Sequence, residues 1–202
     1  MTTKAKAKQA HEPADSPQVF DRFEIRLSGS GGQGLVLAGV IIAEAVSTLD
    51  GKNVVQTQSY GPEARGGASR TDLVVSAGEI FYPKPMALDL LLAMTQESCD
   101  LYHHALKDNG ILIYDSHLVT QVPFARAVGI PFSQLARHEI GLPMVANVIS
   151  LGAICAITKI VSEDALTKIV TKRSPRGTEE KNMQALQLGL KVGKEAMEGS
   201  KL

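Results

Sequence analysis

Two glycine-rich stretches hold the residue types and spacings with which this chain could do chemistry. The first, "SGSGGQG" (28–34), sets Gly29, Gly31 and Gly34 in a G-x-G-x-x-G pattern, with Gly32 and Gln33 between them. Glycines let backbone N–H groups and a helix N-terminus close on an anion. Gln33 adds an amide with donors and an acceptor, placed to bond either a backbone or a ligand. The second stretch, "QSYGPEARGGASR" (58–70), makes two sharp turns at Gly61-Pro62 and Gly66-Gly67 and carries Tyr60, Glu63, Arg65 and Arg70. Its arginines suit carboxylates or phosphates, which they grip with two parallel hydrogen bonds. Each stretch also has a plainer reading. The glycines can serve close helix–strand packing alone, and the loop can be a solvated turn with a surface ion pair.

A dinucleotide site requires more than glycines. It needs an acid about 20 residues on, at the end of the second strand, to hold the ribose hydroxyls. Here that strand ends in Gln56, Thr57 and Gln58, and Asp50 falls before it. No Gly-Lys-Ser/Thr follows the glycines, so a phosphate-loop NTPase is also excluded.

The elements around these stretches alternate. "DRFEIRLSG" has the period of a first strand, and "LVLAGVIIAEAVSTL" follows as a helix whose only charge is Glu44, expected to be buried on several sides. "KNVVQTQSYG" reads as a second strand. "RTDLVVSAGEIFYP" reads as a hairpin turning at Ala77-Gly78, with an antiparallel strand. "ALDLLLAMT" and "ILIYDS" are covered strands, separated by a helix over "QESCDLYHHALKDNG" that closes at Gly110. "VPFARAVGIPF" leads to the last third of the chain. There "PMVANVISLGAICAITKI" is a long apolar helix, "SEDALTKIVTK" starts at an N-capping Ser162, and Thr178 caps a closing amphipathic helix. The pattern predicts one α/β domain (19–202): a three-layer sandwich with a mainly parallel sheet, helices on both faces and an inserted β-hairpin. In such a sheet both glycine-rich loops leave carboxyl ends of neighbouring strands and should lie side by side.

Bulk properties narrow the classes. The 202 residues suffice for one sizeable core. Lysine plus arginine (21) balances aspartate plus glutamate (21), so no basic field marks a nucleic-acid binder. No apolar run is long enough for a membrane span, and the polar tail over 1–18 lacks a secretory apolar core, so the expected location is cytoplasmic. Cys99 and Cys155 read as buried thiols, and without a C-x-x-C pair the chain offers no evident metal or cluster site. Adjacent His103 and His104 diverge on a helix. Asp115-Ser116-His117 lacks the context of a triad, and Asn147 and Asn182 read as residues that cap or bond a neighbouring loop. No catalytic residue is assigned.

Taken in register, "GSGGQGLVLAG" and "QSYGPEARGGASRTDLVVS" resemble the gamma subunit of 2-oxoacid:ferredoxin oxidoreductases, which also occurs as the third domain of pyruvate:ferredoxin oxidoreductase. The resemblance continues through "YPKPMALDLLLAM", "DNGILIYDS", "NVISLGAICAI" and "NMQALQLG", and spans about 20–193. It implies a complex that oxidatively decarboxylates a 2-oxoacid with coenzyme A, giving acyl-CoA, carbon dioxide and reduced ferredoxin. Thiamine diphosphate with magnesium and iron–sulfur clusters would be held by alpha, beta and ferredoxin-like delta partners. This chain would bind none of them alone. It would complete the assembly, with the arginine loop toward the thiamine-bearing partner and the glycine edge toward coenzyme A. Overall likeness favours 2-oxoglutarate, without a residue to name for it. The alternatives are the small subunit of an indolepyruvate-type oxidoreductase and a stand-alone nucleotide-binding regulatory module.

Overall fold

The computed structural model describes residues 21–60 and 68–199. Six strands form one sheet: β1 (Phe23–Ser30), β2 (Asn53–Tyr60), β3 (Ala68–Ser76), β4 (Leu88–Ala93), β5 (Leu106–Asp115) and β6 (Ala127–Ile130), in the spatial order β2-β3-β1-β4-β5-β6. β1, β4, β5 and β6 pair in parallel, whereas β3 is antiparallel to both β1 and β2. Every strand but β3 therefore runs one way, as the mainly parallel sandwich requires.

Alternation decides what each sheet face meets. Phe23, Ile25 and Leu27 of β1, with Leu73, Leu90, Leu92 and Ile113, enter the main core. Over this face lie α1 (Leu35–Thr48), α3 (Phe132–His138), α4 (Ala146–Thr158), α5 (Glu163–Arg173) and α6 (Glu179–Gly199), all contributing to the same core. Among the described residues the other face carries only α2 (Gln96–Tyr102), packed with the second, smaller core of Leu88, Leu91, Leu112 and Val119. The two helical layers are thus unequal. Among the described residues no helix is long and apolar enough to cross a membrane.

α4 lies at the centre of the helical layer, and twelve of its thirteen residues are buried. It meets α6 backbone to backbone. A β-carbon on Gly152 would stand 2.5 Å from the Leu186 carbonyl oxygen, and one on Gly193 would be 2.8 Å from the Ala153 Cα. Small residues at this seam bring the helices close enough to exclude any side chain. α5 begins as expected. Ser162 accepts from the Ala165 N–H, Glu163 and Asp164 occupy the first turn, and Asp50 receives the Ser162 N–H and hydroxyl at 2.8 and 2.6 Å. Asp50 thus ties the α1–β2 turn to α5, far from the glycine loop. Glu44 of α1 pairs with Lys172 and Arg173, the cations in the last turn of α5.

Several expectations change. No hairpin forms at Ala77-Gly78: the segment after Ser76 is irregular up to Leu88, and β3 finds its antiparallel partners in β2 and β1. The reason is the buried Glu24, whose carboxylate accepts from the Met86 and Ala87 N–H groups at 2.7 and 2.8 Å and draws this segment onto the start of β1. The helix expected to close at Gly110 ends at Tyr102, followed by a 3-10 turn (His103–Ala105), and residues 106–110 already belong to β5. "ARAVGIPFSQLARH" supplies β6 and α3, which periodicity did not reveal because β6 is only four residues long. Thr178 does precede α6. Its hydroxyl donates to the Pro175 carbonyl at 2.8 Å and accepts from the Asn182 amide at 3.0 Å. α1 lies on the sheet and against α5, with an open edge at Leu37, which is 42% exposed.

Candidate functional site

The chain crosses from one side of β1 to the other where β3 and β4 flank it, so α1 leaves over one face and α2 over the opposite one. In open α/β sheets the crevice at such a switch point is where ligands gather. The Gly29–Gly34 loop occupies it. Gln33 closes the turn: its Oε1 accepts from the Ser30 N–H at 2.8 Å, and its own N–H bonds the Ser30 carbonyl at 3.3 Å. A β-carbon on Gly29 would collide with that Oε1 and lie 2.8 Å from Leu35 Cδ1, so Gly29 makes room for Gln33. Gly32 and Gly34 have φ of 93° and 73°, a conformation that side chains resist. Gly34 ends the loop at the α1 N-terminus, where no side chain caps the free N–H groups.

Asn147, buried at the start of α4, donates through Nδ2 to the Gly34 carbonyl at 3.1 Å and fixes the loop to the helical layer. The sequence indicated that it bonds a neighbouring loop, and it does. Beside Gly32 and Gly34 a cavity of ≈ 180 Å³ opens between helices, lined by Leu37, Ile41, Leu142, Met144 and Val148, with Arg173 and Asn182 among its polar groups. Leu37 and Met144 (77% exposed) contribute apolar surface to it. Sequence reading missed this groove, because its walls come from α1, α4, α5 and α6 together.

A second feature lies on the opposite sheet face. Arg26 forks onto Asp72 with bonds of 2.7 and 2.9 Å, and both side chains are nearly buried. Arg70 stands 3.9 Å from the same carboxylate, and the guanidiniums of Arg26 and Arg70 lie 4.7 and 5.5 Å from the Tyr102 ring centroid. With Thr57, Gln58, Ser59 and Lys84 they surround a polar cleft of ≈ 300 Å³.

The expected juxtaposition of the two loops therefore needs restating. β3 lies between β1 and β2, so the strands are not neighbours. The second loop's flanks nonetheless reach the glycine end, with Tyr60 opposite Ser69 and Ser30 opposite Ala68. Arg70 belongs to the cleft, across the sheet from the groove. Gly61, Pro62, Glu63, Arg65, Gly66 and Gly67 lie outside the described residues. The interposed β3 also argues against a dinucleotide site, since a nucleotide crevice needs the second parallel strand beside the first. Gln56 sits in its place under α1, donating to the Val36 carbonyl and the Thr71 hydroxyl at 3.2 and 2.9 Å.

The remaining candidates hold structure. The Asp115 carboxylate accepts the N–H groups of His117 and Ser133 at 3.0 and 2.9 Å, pinning a turn and the start of α3. His103 Nδ1 lies 3.0 Å from the Cys99 carbonyl, and its ring meets that of His104 edge-on. Cys99 and Cys155 are buried in separate cores on opposite sheet faces, so they cannot share a cluster. Burial, reinforced by Asp100, pushes the Cys99 thiol pKa up, away from reactivity. Among the described residues no group of three or more His, Cys, Asp or Glu converges on a metal position.

Fold and site together define an α/β domain with a glycine loop at its switch point. The chain belongs to the pyruvate ferredoxin/flavodoxin oxidoreductase family, whose model matches residues 24–192. It is 46% identical over 178 residues to a 2-oxoglutarate synthase subunit, KorC, of Methanocaldococcus jannaschii, covering 86% of this chain and 95% of that one. It is 30% identical over 174 residues to a pyruvate synthase subunit, PorC, of Methanothermobacter thermautotrophicus, covering 82% and 93%. Among solved structures, the gamma subunit of a keto/oxoacid ferredoxin oxidoreductase from Geobacter sulfurreducens superimposes with a TM-score of 0.80 at 45% identity, covering 87% of this chain and 98% of that one.

Proposed function

We propose that this chain is the gamma-type subunit of a multi-subunit 2-oxoglutarate:ferredoxin oxidoreductase, which converts 2-oxoglutarate and coenzyme A to succinyl-CoA and carbon dioxide while reducing ferredoxin. The observation that carries this reading is the near end-to-end match at 46% identity to a 2-oxoglutarate synthase subunit, against 30% for the pyruvate synthase subunit. Thiamine diphosphate, magnesium and iron–sulfur clusters would reside on the alpha, beta and delta-type partners. The described residues of this chain bring together neither paired thiolates nor a metal-binding set.

The chain's own contribution is positional. The edge formed by Gly31, Gly32, Gln33 and Gly34 would border the path of coenzyme A, and the adjoining groove supports that placement. At ≈ 180 Å³ it is too small for the whole cosubstrate but suits a narrow, flexible arm, with Arg173 and Asn182 as polar partners. N–H groups at the α1 start, which no side chain caps, would face the same path. Tyr60, Arg65 and the glycines around them would touch the thiamine-bearing subunit.

The test is a viologen-reduction assay on the co-purified complex with 2-oxoglutarate, pyruvate and branched-chain oxoacids compared. Preference for 2-oxoglutarate is expected, and activity with pyruvate alone would refute the substrate. Asn147→Ala and Gln33→Ala should raise the KM for coenzyme A and leave that for the oxoacid unchanged. Unaltered kinetics in both variants would refute the placement of coenzyme A.

A further inference from the structure

We infer that the half of the second sheet face on which the described residues place no helix docks an acidic, partly apolar segment of a partner subunit, which inserts a carboxylate between Arg70 and Lys84 and covers Phe81, Tyr82 and Met86. This rests on the reading of the chain as a subunit, and adds where the partner sits and what chemistry it presents.

Charge is the first argument. Among the described residues the cleft gathers Arg26, Arg70 and Lys84 around a single carboxylate, Asp72. Both of that carboxylate's oxygens are already engaged by Arg26. Arg70 lies only at 3.9 Å from it, beyond hydrogen-bond reach, and its guanidinium makes no hydrogen bond among the described residues. Two guanidiniums share one Tyr102 ring, so like charges are held together by a tyrosine face and one acid. A second carboxylate would use the idle fork of Arg70, offset the repulsion and reach the exposed Lys84 ammonium. A cationic occupant would deepen the repulsion and is disfavoured.

Apolar exposure is the second argument. Phe81, Tyr82 and Met86 are 86%, 52% and 72% exposed, on the same segment as Lys84 and Pro85, which line the cleft. This segment is held firmly. Arg22 donates to the Tyr82 and Lys84 carbonyls at 3.0 Å each, while the buried Glu24 holds the N–H groups of Met86 and Ala87. Aromatic side chains displayed on a pinned backbone lose little entropy when covered, which is the pattern of interface anchors. Among the described residues, α2 is the one α-helix packed on this sheet face.

The experiment uses the chain co-expressed with the other subunits of its complex, with assembly followed by size exclusion and by titration at low and high salt. Phe81→Ser and Lys84→Glu change exposed side chains, so their folding should match wild type by thermal unfolding. Each should weaken assembly about tenfold or more, with Arg70→Glu weakening it further, and the wild-type affinity should fall with salt. The same reversal at Lys168, exposed on α5 over the opposite face, should leave assembly unchanged. If Phe81→Ser and Lys84→Glu assemble like wild type, the docking face is overturned while the subunit reading stands. Equal weakening by Lys168→Glu overturns it as well, as does self-association of the isolated chain that Phe81→Ser abolishes without affecting assembly. Failure of the wild-type chain to assemble overturns the subunit reading and this inference with it.

Discussion

Gly189 on α6 should be the position where a single added methyl most damages the architecture behind the glycine loop. Replacing a helical glycine with alanine ordinarily stabilises a helix by about 1 kcal/mol. Here the added β-carbon would fall on the Ile149 carbonyl, with the carbonyl carbon 2.8 Å and the Ile149 Cα 3.0 Å away. Carbon atoms settle at roughly 3.5–4.0 Å, so α6 must retreat from α4 by about 1 Å. The obstacle is backbone, which has no rotamer to move aside. Overpacking of this kind costs about 1–3 kcal/mol or more, and the neighbouring contacts at Gly152 and Gly193 open with it. The net expectation for Gly189→Ala is a loss of about 2 kcal/mol, after the propensity gain. In a chain of this size that lowers Tm by about 4–8 °C. Since α4 carries Asn147, the shift should also loosen the Gly34 anchor and raise the KM for coenzyme A in the complex. Thermal and urea unfolding followed by circular dichroism measure the first effect. Stability equal to or above wild type would refute the seam argument.

Other perturbations test the remaining parts. Gly29→Ala should expel Gln33 from its bond to Ser30, costing about 1–3 kcal/mol in urea unfolding; a neutral result would mean the loop has another support. Asp50→Ala removes two bonds to Ser162 and should cost about 1–2 kcal/mol, seen as a lower urea midpoint at constant slope. Hydrogen bonds from Lys172 and then Arg173 hold the Glu44 pKa below its ordinary 4.5. A depressed carboxylate stabilises the fold above its unfolded pKa and loses that contribution as pH falls through the folded value. The stability gap between wild type and Glu44→Gln should therefore be full at neutral pH, close on acidification, and shrink in high salt. Cys99 and Cys155 should resist alkylation at pH 8 until the chain is unfolded, and labelling of the native chain at the unfolded rate would contradict their burial.

Much of this protein was legible in its residues because the relevant physics is local. The period of "FEIRL", the Ser162 cap with Glu163 and Asp164 behind it, and the glycines between a strand and an apolar helix each follow from neighbours in the chain. The absence of an acid at the end of β2 already argued against a dinucleotide. Gln33 and Asn147 were legible as amides with a backbone to bond, although not which carbonyl or N–H each would meet. The false hairpin at Ala77-Gly78 shows where this reasoning stops. Both arms had strand propensity, but the buried carboxylate of Glu24, more than sixty residues earlier, claimed the N–H groups of Met86 and Ala87. Strand order was equally invisible, since interposing β3 between β1 and β2 depends on non-local pairing. Register sets Arg70 opposite Ser28 beside the glycine edge, but its side chain turns to the sheet face away from the groove, where, among the described residues, one half has no helix. The groove and the cationic cleft exist only where distant segments converge. The sequence by itself determined the kinds of surface available, a glycine loop and a glycine-flanked turn that carries arginines. Tertiary structure decided which of them share a face, because sheet register and helix packing are settled between residues far apart in the chain.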